Sequence, residues 1–272
     1  MTTLIVILVL LLVFVYLLFP GHASREKRAP FWGRNFAHRG LFLKDQSVPE
    51  NSLEAFRRAV AGGYGMELDV QLSKDGQVVV FHDDTLERVC GVKKRVDALT
   101  FAELRELRLC STEEQIPLFS EVLETVGGKT PLIVELKNGP RNRELCEKTC
   151  ALLAGYAGDA CIESFNPLIV TWFRFHDPKR VRGFLSQPPS QYRKSSMMPL
   201  TSIVLGYTLT NFLARPQFIA YMIGPKPFPV HLAERLGAIR TVWTSHDAEA
   251  EKSYDIVIFE HYTPETVYKK EA

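Results

Sequence analysis

Residues 65–84, GMELDVQLSKDGQVVVFHDD, carry side chains able to do acid–base or metal chemistry. The segment reads as strand, tight turn, strand. Side chains alternate faces along a strand, so Glu67 and Asp69 share one face while Met66, Leu68 and Val70 share the other. Asp75-Gly76 is a hairpin turn signal. The second strand, residues 78–81, delivers His82 and Asp83 at its end. Two carboxylates and a histidine are costly on a buried strand unless something cationic sits between them. On a solvated antiparallel face they would need no such partner.

Two more stretches have the same character. Residues 34–40, RNFAHRG, read as a short strand ending in His38-Arg39-Gly40. An arginine beside a histidine favours neutral imidazole, which can take a proton, and a guanidinium can hold a phosphate in a bidentate fork. A surface His-Arg pair is the plainer alternative. Residues 131–137, PLIVELK, form an apolar strand with Glu135 and Lys137 on one face. Such a strand suits a parallel sheet covered on both sides, where a glutamate and a lysine read as site residues or as an internal ion pair.

The elements that must position these groups alternate between strand and helix. Asn51 or Ser52 caps a helix from Leu53, stopped by Gly62-Gly63, and Thr100 with Glu103 makes a capping box. Further strands are expected near residues 160–165, 181–185, 218–222, 241–244 and 256–259. That pattern predicts a parallel α/β architecture, and the strand number favours a closed TIM-type (β/α)8 barrel. Nine candidate strands are present, and the Asp75-Gly76 turn makes one pair antiparallel, so one segment departs from the regular barrel. In such barrels the active site lies at the C-terminal strand ends, where His38, Glu67, Asp69, His82, Glu135 and Lys137 all fall.

The chain has 272 residues, is 46% hydrophobic and 24% charged, and carries a formal charge of +2. That gives no basic field for nucleic acid. Residues 2–19 are uncharged and almost wholly apolar, ended by Pro20-Gly21. At 1.5 Å per residue they span about 27 Å, which predicts a single N-terminal transmembrane helix, with a cleaved signal peptide as the competing reading. Arg25, Lys27, Arg28 and Arg34 follow it, which places the remaining domain in the cytoplasm by the positive-inside rule. Five cysteines without metal-type spacing suit a reducing compartment. The expected units are an anchor over 1–20, a basic linker over 21–33 and a barrel over 34–272. Residues 195–214 lack charge and read as an apolar barrel helix, or as a face that rests on a membrane.

Five ordered motifs then carry a resemblance. Ala-His-Arg-Gly (37–40), Pro-Glu-Asn-Ser (49–52), Glu-Leu-Asp-Val-Gln-Leu-Ser-Lys-Asp-Gly (67–76), Val-Phe-His-Asp-Asp-Thr-Leu (80–86) and Val-Glu-Leu-Lys (134–137) resemble the glycerophosphodiester phosphodiesterase family. The resemblance implies a TIM-type barrel and one divalent cation, Mg²⁺ or Ca²⁺, held by Glu67, Asp69 and Glu135. It implies acid/base histidines at His38 and His82, with Arg39 and Lys137 on the phosphate. Glu50 and Asn51 would support that shell, and Trp243 would touch the substrate. The expected reaction releases an alcohol and glycerol 3-phosphate, with water or the neighbouring glycerol hydroxyl as nucleophile. A lysophospholipase D-type activity and a catalytically idle glycerophosphate-binding barrel are the alternatives, and phosphatidylinositol-specific phospholipase C logic fits the strands less directly. The C-terminal half departs from the family pattern at Val242–His246 and at Phe259–Pro264.

Overall fold

The computed structural model describes residues Thr2 to Lys270; the outer ends of the expected units, Met1 and Glu271-Ala272, lie outside the described residues. Among the described residues nine strands occur in chain order: β1 (Arg34–Ala37), β2 (Gly65–Leu72), β3 (Val78–Val80), β4 (Leu132–Leu136), β5 (Ala160–Ser164), β6 (Arg182–Ser186), β7 (Phe218–Met222), β8 (Ile239–Ser245) and β9 (Ile256–Phe259). Strand β1 pairs in parallel with both β2 and β9, which closes eight parallel strands into a barrel. The departing segment is β3, whose one partner among these strands is β2, antiparallel, across the Asp75-Gly76 turn. Gly76 has φ +78°, the left-handed conformation such a turn needs.

The pleat sorts the strand residues into two sets. On the outer face of β2, Met66, Leu68 and Val70 pack with Phe119, Val122 and Val126 of the covering helix Phe119–Val126. On the inner face, the lower barrel is filled by Phe36, Ile133, Cys161, Phe218, Ile256 and Ile258, with Ala23 and Phe31 packed beneath. One pleat repeat above Ile133 and Cys161, the inner face changes from apolar to acidic. Asp69 of β2 lies in register with Glu135 of β4, and Glu135 with Glu163 of β5. Three neighbouring strands therefore offer one carboxylate each to the same layer.

The N-terminal segment corrects an expectation. Its helix runs Thr2–Leu18, 17 residues, and no helix among the described residues is long and apolar enough to cross a membrane. At 1.5 Å per residue it reaches about 25 Å, short of a hydrocarbon core of about 30 Å. Its last turn is also committed to the barrel. Leu18 is buried against Ile219, Tyr221 and Val230, and its carbonyl accepts from Asn211 Nδ2 at 3.1 Å. Arg215 Nη1 donates to the carbonyls of Phe19 at 2.6 Å and Tyr16 at 3.3 Å. The expected transmembrane helix and the single-pass placement with a cytoplasmic domain fall with that finding, and the membrane partner expected through residues 2–19 loses its support. The apolar 195–214 stretch forms two short helices rather than one, Pro199–Gly206 and Asn211–Ala214. All five cysteines are free.

Candidate active site

The three expected carboxylates converge. Glu67 and Asp69 of β2 and Glu135 of β4 are buried, and each offers an oxygen within 4.8 Å of the others. Lys137 reaches Glu135 Oε1 at 2.9 Å and Asp69 Oδ1 at 3.3 Å, and Arg39 Nε lies 3.7 Å from Asp69 Oδ2. Burial would raise the Asp69 carboxyl, but Lys137, His82, Arg39 and the Asn51 hydrogen bond hold it far below the usual range. Glu67 receives less help. Burial, together with the charges of Asp69, Glu135 and Glu163, pushes it well above that range. Glu135 is also raised, by burial and Asp69, against the pull of Lys137. Lys137 stays a cation, because Glu135 and Asp69 outweigh its burial. The residues fit a divalent cation: oxygen-only donors suit Mg²⁺ or Ca²⁺, and like charges this close are stable only with a cation between them.

His38 and Arg39 leave β1 on a sharp turn. Arg39 takes φ +53°, an uncommon left-handed value, which turns its amide onto Glu67 Oε2 at 3.1 Å. Its carbonyl accepts from the Asn51 amide, and Asn51, at φ +56°, donates Nδ2 to Asp69 Oδ2 at 2.9 Å. Burial pushes the His38 imidazole below its ordinary range, and the Arg39 charge adds to this, against the opposing hydrogen bond with Glu260. Glu260, just past the end of β9, meets His38 Nδ1 at 2.8 Å. Burial would raise Glu260, but His38, His261 and His246 hold it below the usual range, so it is a carboxylate and accepts from Nδ1–H. The other nitrogen, Nε2, is left unprotonated, 3.9 Å from Glu67 Oε2.

His82 has a matching arrangement built locally. Its Nδ1 lies 2.6 Å from Asp83 Oδ1. Asp83 is held in turn by Arg88, which also forks onto Glu50 through Nη1 at 2.8 Å and Nη2 at 2.6 Å. Glu50 accepts from Arg39 Nη1 at 2.8 Å. A continuous chain of hydrogen-bonded side chains therefore runs from His82 through Asp83, Arg88 and Glu50 to Arg39.

One pocket brings His38, Arg39, Glu67, His82, Glu135 and Glu163 together with Phe165, Leu185, Trp243, Thr244 and Ile258. Trp243 donates its indole N–H to the Ser186 carbonyl at 3.1 Å and meets Phe165 edge-on at 5.6 Å, so it contributes an apolar wall. Of the expected residues, His38, Arg39, Glu67, His82, Glu135 and Trp243 line this pocket, and Asp69, Lys137, Glu50 and Asn51 join them through the contacts above. Four residues there had not been expected. Asp83 and Arg88 sit beside a motif already read, Glu260 pairs with a histidine 222 positions away, and Glu163 shows the signal that exposed Glu135, an acid in an otherwise apolar strand.

The structure is thus a closed parallel barrel with an acidic cluster and two histidines beside carboxylates. The chain belongs to the glycerophosphoryl diester phosphodiesterase family, which it matches over residues 38–263. It is 40% identical over 111 residues to a glycerophosphodiester phosphodiesterase of Caldanaerobacter subterraneus, covering 38% of this chain and 44% of that protein. It is 33% identical over 156 residues to the rat lysophospholipase D GDPD1, covering 53% of this chain and 48% of that one. The chain spans about half the length of the curated relatives it matches. Among solved structures, an Oleispira antarctica phosphodiesterase in complex with sn-glycerol 3-phosphate superposes with TM-score 0.67 at 22% identity, over 84% of this chain and 93% of that one. The Thermotoga maritima glycerophosphodiester phosphodiesterase superposes with TM-score 0.62 at 26% identity, over 83% and 93%.

Proposed function

We propose that this chain hydrolyses glycerophosphodiesters to an alcohol and glycerol 3-phosphate, with a divalent cation, Mg²⁺ or Ca²⁺, held by Glu67, Asp69 and Glu135. The observation that carries this reading is the convergence of three buried carboxylates beside two histidines that each have a carboxylate on Nδ1. The family match and the glycerol 3-phosphate bound by the Oleispira protein support it. The catalytic unit is taken as residues 34–272.

A phosphodiester is an anion that resists nucleophiles, so the site must supply positive charge and move two protons. Arg39 and Lys137 bring fixed positive charge to the phosphoryl oxygens. A divalent cation at the carboxylates would add Lewis-acid stabilisation of the same oxygens. His38, neutral and with Nε2 unprotonated, takes the proton of the attacking hydroxyl as its oxygen bonds to phosphorus. Glu260 holds the ring in that tautomer and stabilises the imidazolium that forms. His82, oriented by Asp83, gives a proton to the alcohol oxygen as its bond to phosphorus breaks. Trp243 and Phe165 exclude water from the substrate side. Lysophospholipids are the second substrate class, favoured by that apolar wall and by the likeness to the rat lysophospholipase D.

Alcohol release from glycerophosphocholine and from a lysophospholipid, measured on the full chain with Mg²⁺, Ca²⁺ or chelator, tests the proposal. Metal-dependent turnover is expected to fall by on the order of 10²–10⁴ in His38→Ala. A folded protein with no turnover of either substrate would leave the barrel a binding module instead.

A further inference from the structure

Glu163 is a buried acid to which neither the fold nor the reaction above gives a task. It lies on the inner face of β5, 1% exposed, in register with Glu135 but outside the three-carboxylate cluster. Its Oε2 has no hydrogen-bond partner. Leaving a carboxyl buried and unpaired costs free energy that an apolar residue of similar size would avoid. The side chain lines the pocket beside Phe165, Leu185, Trp243 and Ile258, all of them apolar surfaces. The Trp243 indole N–H is already given to Ser186, which leaves the Glu163 carboxyl and Thr244 as the polar groups beside those apolar surfaces. A ligand seated against the wall therefore finds hydrogen-bonding capacity at Glu163, and a hydroxyl, which both donates and accepts, suits a carboxyl in either protonation state.

We propose that Glu163 selects hydroxyl-bearing substrates: its free oxygen hydrogen-bonds a hydroxyl of the glycerol unit of a diester seated against the Phe165–Trp243 wall. This rests on the phosphodiesterase reading above and adds to it the feature that separates glycerol from a plain alkyl group. A site built around a buried polar group rejects analogues that leave the group unpaired far better than a purely apolar site does. The unpaired state in the free protein is the cost of that discrimination, so removing the acid relieves the fold while it weakens recognition.

Calorimetric titration of the full chain with sn-glycerol 3-phosphate and with ethyl phosphate, in saturating Mg²⁺, tests this. The two ligands share a phosphate monoester and differ in their hydroxyls. Wild type is expected to prefer glycerol 3-phosphate by about tenfold, the worth of one satisfied hydrogen bond to a buried carboxyl. In Glu163→Leu that preference falls to within about threefold, while the melting temperature does not drop. Glu163→Met, unbranched and equally unable to hydrogen-bond, gives the same result if the leucine does not pack, and Glu163→Gln keeps most of the preference. A preference that survives Leu and Met, or its absence from wild type, overturns the proposal. So does equal weakening of both ligands, which would assign Glu163 to the phosphate side. Turnover of glycerophosphocholine, measured in parallel, judges the phosphodiesterase reading separately, because the binding ratio does not depend on it.

Discussion

At the N-terminal end of the barrel, Asp255 accepts from Arg240 Nε at 2.9 Å, Arg240 Nη2 at 2.7 Å, the Arg240 amide at 3.1 Å and Lys269 Nζ at 2.9 Å. At the C-terminal end, Glu67, Asp69, Glu135 and Glu163 share two nearby cations, Arg39 and Lys137, and Glu67, Glu135 and Glu163 are all raised. Both ends bury acids, but the lower end satisfies Asp255 while the upper end satisfies Asp69 and leaves Glu67, Glu135 and Glu163 short. Burial is an unfavourable influence on the carboxyl at both ends, and the outcome is decided by what faces it. The lower end is built for stability. The upper end stores an electrostatic deficit that a cation and a phosphodiester would relieve.

The sharpest way to break this comparison is to neutralise an upper acid. Glu135→Gln is expected to lower kcat/KM on glycerophosphocholine by on the order of 10³, with no loss of melting temperature in chelator. A large drop in stability with unchanged kcat/KM would make Glu135 a structural ion-pair residue of the lower kind. A smaller effect is expected at Glu260. Glu260→Gln removes the charge that stabilises the His38 imidazolium and lets an amide N–H face Nδ1, which favours the wrong tautomer, so kcat should fall by on the order of 10² while KM moves little. Glu260→Asp should recover part of the rate, and a KM effect alone would remove Glu260 from the proton path.

The lower end gives the smallest effect and the opposite kind. Asp255→Asn is expected to cost about 1–2 kcal/mol, between an exposed and a buried pair because Arg240 and Lys269 are partly exposed, with kcat/KM unchanged. Arg240 and Lys269 outweigh burial and hold the Asp255 carboxyl below its ordinary range. Its contribution is therefore fully present above the unfolded value of about 3.9 and is lost as pH falls through the folded value. The stability gap between wild type and variant should close below about pH 4, read from denaturant titrations. A gap that is constant with pH would mean the ion pairs contribute nothing.

Much of the upper end was legible in the sequence because its chemistry is local. Glu67 with Asp69, and Glu135 with Lys137, betray themselves as charges two apart in apolar strands, and His38-Arg39 and His82-Asp83 sit at strand ends. Glu260 was hidden because its partner His38 is 222 positions away and only barrel closure through β1 and β9 joins them. Glu163 shows in the sequence as an acid within a short strand, but a single acid without a charged neighbour two positions away is a weaker signal than the Glu67–Asp69 and Glu135–Lys137 pairs. The closed barrel followed from strand number, but which strand departs needed the antiparallel pairing of β3 with β2. The N-terminal helix was misjudged from composition. Hydropathy does not report that Asn211 and Arg215 take hold of its last turn.

The melting temperature of wild type against Glu67→Gln, each in chelator and in saturating Mg²⁺ or Ca²⁺, tests the upper-end deficit most directly. The account predicts that the variant melts higher in chelator, because one crowded carboxylate is gone, and that the order reverses with metal, because wild type alone has the complete oxygen set. A variant that melts lower in chelator, with no metal effect on wild type, would mean that the upper carboxylates are already satisfied by their own neighbours, and the account would be wrong.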